Sequence, residues 1–416
     1  MSAPQQDTSS RRGSAMLAPI TYMRVVAAFA VIVFHAYQHS AYSGMTDWMG
    51  GDFWHRALVL MAAGGVDAFF VVTMFLSARA VVRGALGDGP IADGRTLLRK
   101  RAASLLPVYL VAVAIVWAVT NPRLPGHWAD LVLHLTFTQV YSDQYIFWTL
   151  GPAWFIAVSI HFYLLLAVIS GPLQRYCLRL TSRTARVRVL LGVAAVLGAI
   201  SWAYKLVMHF GLERPVDSWS TWFGPLSRLD LMALGLVLAV LAVVRPAIPR
   251  WGVVASFVGA GVLLVGTGLT FPENTPDWWP HGTMGLAAFL YLLPSVTDRR
   301  QASGAVVPAT GRVPATWAGG IALLSYGVYI WQEPVLRMLD WAGLLPADSS
   351  PWAFPVTSVL MIIGTLIVAW ASYHLLEVPG RAWASWSART SAPAAPVASV
   401  APAGPAMALA VSTPAR

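Results

Sequence analysis

Ten stretches of about 20 apolar residues follow one another along this chain, separated by short polar segments, and no water-soluble fold has room to bury so many. Each is long enough to cross a hydrocarbon core of roughly 30 Å as an α-helix, the one single-segment structure that satisfies its own backbone polar groups. The spans read as 17–38, 56–78, 104–120, 150–171, 188–208, 226–244, 251–271, 281–297, 315–339 and 352–376. Only 11% of the 416 residues are charged while 57% are hydrophobic, against a charged share of about 25% in soluble domains. The chain is therefore expected to be all-α: a polytopic membrane helix bundle of about ten transmembrane helices.

Basic residues test that count, because Lys and Arg accumulate on the cytoplasmic side of membrane proteins. Arg11 and Arg12 place the N-terminus inside, and further basic residues fall in alternate connections: Arg79 to Arg101, Arg175 to Arg188, Arg245 with Arg250, Arg299 to Arg312, and the tail from Arg381. The intervening connections carry Asp143, Glu213, Asp217, Glu273, Asp277 and Asp348, with Arg123 and Arg214 as exceptions. The alternation requires that 121–149 does not span. Its piece WADLVLHLTF is too short and polar to cross, and reads as a helix lying in the outer interface.

Both termini are then cytoplasmic, in a multi-pass protein of the plasma (inner) membrane. The formal charge of +10 is a topology signal, and no motif points to nucleic acid. The first apolar run is too long for a cleaved signal peptide and lacks a small-residue cleavage site, so it serves as the first span. Residues 1–16 and the Ala/Pro-rich 385–416 read as disordered cytoplasmic segments flanking one transmembrane domain, 17–384. Cys177, the single cysteine, is placed in a cytoplasmic loop and has no internal partner for a disulfide.

Ionisable groups inside a bilayer are costly enough to be functional candidates. Arg24 and His35 lie eleven residues apart in the first span, which is three turns plus about 20°, so they share a face with about 16 Å between them along the axis. The pair offers two anchor points for something long; the plainer alternative has Arg24 snorkelling inward and His35 bonding a neighbouring helix. His39 continues the same face. Asp67 falls mid-membrane in GGVDAFFVV and needs a partner, for which Arg24 is the candidate; Gly64 and Gly65 beside it allow close helix approach. Trp154, Ser159, His161 and Tyr163 occupy the fourth span, Trp154 doubling as an interfacial anchor. Arg228 and Asp230 stand at the outer end of the sixth, where an ion pair with a neighbouring span is the plain reading. Tyr329, Gln332 and Glu333 precede Pro334 in the ninth, and Glu377 closes the last. Arg99, Lys100 and Arg101 form a cationic mouth before the third span, suited to anionic lipid or a phosphorylated co-substrate. Neither a metal site nor a permanently bound cofactor is expected.

The ordered string YMRVVAAFAVIVFHA, GGVDAFFVVTMFLSA, LLRKRAASLLPVYL, WFIAVSIHFYL, RLDLMALG, LSYGVYIWQEPVL and YHLLEVPGRAW resembles the acyltransferase 3 family of bacterial membrane O-acyltransferases, over roughly Ile20 to Trp383. The resemblance implies transfer of an acyl group, usually acetyl, from acyl-CoA on the cytoplasmic side to a hydroxyl of a sugar, glycan or natural-product acceptor, which is small or lipid-linked. It assigns activity to Arg24 and His35. His35 serves as general base or acyl carrier; Asp67 and Glu333 are further catalytic candidates read from the residues themselves, as acid and base with His35 in the isomerisation or cyclisation reading given below. Arg24 with Arg99, Lys100 and Arg101 holds donor phosphates, and Trp154, Ser159, His161, Tyr163, Arg228, Asp230, Tyr329 and Gln332 line the substrate site. This chain departs from the family pattern at Ser159, where a glutamate is usual, at Ser104, where an arginine is usual, and at Gln332, where a histidine is usual. Two other readings stay open at this point: acid–base isomerisation or cyclisation of a lipophilic substrate without CoA, and transport.

Overall fold

The computed structural model describes residues 18–40, 51–270, 278–298, 317–347, 350 and 352–383. The expected disordered ends 1–16 and 385–416, the basic stretch Arg299 to Arg312, and Glu273, Asp277 and Asp348 lie outside the described residues. Among the described residues there is no strand, and ten long helices occupy the ten expected spans. They are α1 (Ala18–His39), α2 (Gly51–Leu86) and α3 (Gly94–Thr120), the short α4 (Trp128–Leu135), α5 (Ala153–Arg179), α6 (Arg183–Leu206), the short α7 (Trp219–Phe223), α8 (Leu229–Val244), α9 (Arg250–Thr270), α10 (Pro280–Thr297), α11 (Trp317–Trp341) and α12 (Ala353–Ser372). Eight of the ten are long and apolar enough to cross a membrane; α10 and α11 complete the bundle, packed against α9, α8 and α2 and against α12 and α1.

Several helices outrun their expected spans at the basic end. α2 runs on to Leu86 and α3 starts at Gly94, so Arg79, Arg83, Arg95 and the Arg99 to Arg101 cluster sit on helix rather than in a loop. A helix continues into water until something stops it. Here Gly87, at φ +85°, ends α2, and Asp93 caps α3 by accepting the Arg95 and Thr96 backbone N–H groups. Bonds from the Thr96 hydroxyl and backbone hold the Asp93 carboxyl below its ordinary range. That cap is at full strength above the usual carboxylate pKa and fades as the pH falls below it. Cys177 also corrects the sequence reading: it is fully buried in the last turn of α5, not in a loop.

The piece 121–149 does not span. Its helix α4 turns Asp130 and His134 into the bundle, both 0% exposed, and leaves Trp128, Val132 and Leu135 outside. An apolar outer face suits a helix lying against lipid. Inside, Thr149 donates to Asp130, His134 Nδ1 stands 3.0 Å from the same carboxylate, and the Tyr109 hydroxyl donates to the His134 carbonyl at 2.8 Å.

Small residues set the closest helix approaches. A Cβ on Gly65 would stand 3.1 Å from the Ala27 backbone, where α1 crosses α2. One on Gly235 of α8 would stand 2.6 Å from the Val71 carbonyl and 2.7 Å from Met74 Cβ of α2. Gly235→Leu should therefore lever α8 off α2 and cost about 3 kcal/mol or more of stability. A fall in the unfolding temperature of the detergent-purified protein, with loss of folded yield, is the measurement.

Candidate functional site

Two polar systems occupy the interior. The first joins α2, α6, α8 and α10. Asp67, fully buried, lies 2.8 Å from His281 Nδ1 and 3.8 Å from Arg228. The Lys205 ammonium bonds Asp230 at 2.5 Å and rests over the Trp202 ring at 4.7 Å. Arg228 lies over the Phe223 and Trp154 rings at 4.9 and 5.8 Å. In hydrocarbon such charges persist only when paired, and this set holds two carboxylates, two permanent cations and one imidazole.

The expected Asp67–Arg24 partnership does not form. Gly65 is the residue of α2 that meets α1, and Asp67 stands two residues, about 200°, around the helix from it. The carboxylate thus faces α8 and α10. Nor does Trp154 act as an interfacial anchor: it is 7% exposed and packs on Phe70, Phe155 and Phe223.

The second system follows the line where α1 meets α11. Arg24 donates from Nε and Nη2 to the Ser325 hydroxyl at 3.1 and 2.8 Å. Fifteen residues on, His39 meets Asp340 at 3.6 Å. Both pairs have the same sequence separation of 301, so α1 and α11 run parallel in constant register. That register sets the half-buried His35 level with Leu336, one helical turn, about 6 Å, beyond Gln332. His35 is hydrogen-bonded by Gln38 and edged by the Phe34 ring at 5.4 Å.

Towards the basic end, Arg24 feels the charges of Glu377, Arg381 and Arg101. Glu377 is 1% exposed and bonds Arg381 at 2.5 Å. Arg101 lies over the Tyr163 ring at 5.5 Å, and Tyr163 bonds Thr73 and Ser77 of α2. Of the expected basic triplet Arg101 reaches the Tyr163 ring; Arg99 and Arg101 are half-buried and Lys100 is exposed. Three cations converge there on one carboxylate, an excess that favours an anionic ligand.

The remaining candidates divide. Tyr329 packs on Phe69 and Phe155 at 6.3 and 5.1 Å, and Ser159 is buried with no partner for its hydroxyl among the described residues. Gln332 is likewise buried with neither amide atom bonded. Glu333 turns away from α1. It pairs with Arg337 and accepts the Gly151 backbone N–H, while Arg337 holds the Thr149 carbonyl at 3.1 Å, so it fastens the 149–151 turn to α11. His161 is also apart: Nδ1 bonds the Ala157 carbonyl at 2.8 Å and the ring sits 5.4 Å from Tyr141. Lys205 and His281 escaped the sequence reading, although a lysine within the ISWAYKLVMHF span carried the needed signal.

Comparison with known proteins places the chain in a family of acyltransferases. The Acyl_transf_3 family profile, described as an acyltransferase domain, matches residues 18–374. The provisionally named membrane-bound transacylase BcsY of Komagataeibacter xylinus is 24% identical over 381 residues, 86% of this chain and 81% of its own length. No solved structure matches significantly.

The first polar system has a direct test. Lys205→Met strands the Asp230 carboxylate and should cost about 3–5 kcal/mol, whereas Lys205→Met with Asp230→Leu should recover most of the loss. Thermal unfolding of the two variants in detergent compares them; a double variant no better than the single one would show that the pair is not coupled.

Proposed function

The chain belongs to the Acyl_transf_3 acyltransferase family and is a multi-pass membrane acyltransferase; from that premise we propose that it transfers an acyl group, acetyl in the simplest case, from acyl-CoA to a hydroxyl of a sugar, glycan or natural-product acceptor. The observation that carries the reading is the α1 face itself. Arg24 stands among Arg101, Arg381 and Glu377 near the basic end, and His35 lies eleven residues further along the same face. In this reading the basic end faces the cytoplasm of a cell whose inner membrane holds the protein, with both termini on that side, because Lys and Arg collect there. Cytoplasmic acyl-CoA then meets Arg24, Arg101 and Arg381, which hold its phosphates, with Arg99 and Lys100 adding to the attraction from outside.

The acyl arm extends along α1 toward His35. Neutral imidazole takes the proton of the acceptor hydroxyl as its oxygen attacks the thioester carbonyl. The carbon–oxygen bond forms, the carbon–sulfur bond breaks, and the proton passes from His35 to the departing CoA thiolate. A His general base contributes roughly 10²–10⁴-fold. The transacylase description of the relative from Komagataeibacter xylinus supports the reaction class.

His35→Ala should lower acyl transfer by roughly 10²–10⁴-fold with the unfolding temperature unchanged, and Arg24→Gln should raise the KM for acyl-CoA. Mass spectrometry of extracts from cells with wild-type, His35→Ala or no protein tests this: a product heavier by one acyl group appears only with wild-type. A product that rearranges without gaining acyl mass would replace transfer by isomerisation.

A further inference from the structure

Resting on the acyl-CoA reading above, we propose that the seam between α1, α11 and α12 binds the pantetheine arm of the donor, with Gln332 and Thr365 recognising its amide groups. The register of the seam comes from close contacts. A Cβ on Gly327 of α11 would lie 3.2 Å from Ala369 Cβ of α12, and one on Gly364 of α12 would lie 2.9 Å from Val335. These two approaches make α11 and α12 antiparallel and set Ser325 level with Ser372, Gln332 with Thr365, and Asp340 with Ser358. The constant register of α1 against α11 adds Arg24 to the first level and His39 to the third.

On α12 seven residues separate successive levels, which is two turns less about 20° and a rise of about 10 Å; on α11 the steps are seven and eight residues. Ser358, Thr365 and Ser372 therefore share one face of α12. Met361 and Ala369 lie on that same face and pack against Ala28, Ile32, Val328 and Leu336 of α1 and α11, so the hydroxyls point into the seam.

None of these three hydroxyls has a hydrogen-bond partner among the described residues, and neither does either amide atom of Gln332. They are 8%, 0%, 5% and 0% exposed, in that order. The contrast with other helices is sharp: Ser77, Thr120, Ser256 and Thr267 all donate to the carbonyl four residues back. Unbonded polar groups are costly in a protein interior and more so inside a bilayer, where no bulk water repairs them. Four on one seam call for a shared partner. That partner must be long, narrow and supply both N–H and C=O groups along its length. The pantetheine arm is a long, narrow chain with two amides, carrying a gem-dimethyl and a hydroxyl group near its phosphate end. Gln332 bonds an amide of its own kind on both sides, donating from Nε2 and accepting at Oε1, and Thr365 on the facing helix supplies a hydroxyl. The levels start at Arg24, where the phosphates are held, and pass His35 between the second and third, where the thioester reacts.

The test compares ligand-induced thermal shifts of the purified full chain in detergent, with acetyl-CoA and with adenosine 3′,5′-bisphosphate, which lacks the arm. Wild-type should be stabilised more by acetyl-CoA than by the nucleotide. Thr365→Val and Gln332→Met should keep the nucleotide shift, lose the arm's added shift and bind acetyl-CoA roughly tenfold more weakly, while Thr365→Ser, which keeps the O–H, stays like wild-type. Their ligand-free unfolding temperature should hold or rise, since an unbonded polar group has been removed. Full retention of the arm's shift in both variants, or their failure to fold, would overturn the seam proposal and leave water or packing as the partner, with the donor reading intact. A wild-type protein that responds to neither ligand would overturn both.

Discussion

Hydrocarbon offers no hydrogen bonds, and that single constraint shapes every part of this bundle. A polar group that enters it must bring a partner. Asp67 is held between His281 and Arg228, and Lys205 closes on Asp230. The same rule turns α4 inside out relative to a soluble helix, with Asp130 and His134 inward and Trp128 outward. Where partners are missing, at Gln332, Thr365, Ser358 and Ser372, the rule points to something that arrives from outside the chain.

Charge balance separates a structural network from a site. Around Asp67 and Asp230 the permanent charges cancel, two against two, and the members neutralise one another at contact distance. Such pairs fasten helices, since breaking one leaves a buried charge alone. Around Arg24 the balance fails: Arg101 and Arg381 add to it, and Glu377, already bonded to Arg381, is the carboxylate that answers. An excess of cations is stable when anions can reach it, and it suits an anionic ligand.

The helices were legible from the chain because apolar length is a local property. All ten expected spans are helical, and the non-spanning character of 121–149 followed from charge alternation. Ends were less legible. Gly87 and Asp93, not the border of the hydrocarbon, decide where α2 and α3 stop and start, so the Arg79 to Arg101 loop shrank to a short turn. The acyltransferase character was also readable, since the string of motifs stands in order along nearly the whole chain.

Site membership was only partly legible. The spacing of Arg24 and His35 follows from 3.6 residues per turn and needs no neighbour, so sequence alone determined that they share a face. Whom that face meets depends on packing. Gly65 against Ala27 decides that Asp67 looks away from Arg24, and Ser325 takes the place expected for it. Glu333 and His161, as polar as Gln332 and Ser159, were turned to Arg337 and the Ala157 carbonyl by the rotation of their helices. Hydrophobic length and helical period are carried within one segment, while partners lie on segments hundreds of residues apart and are chosen by how closely small residues let the helices approach.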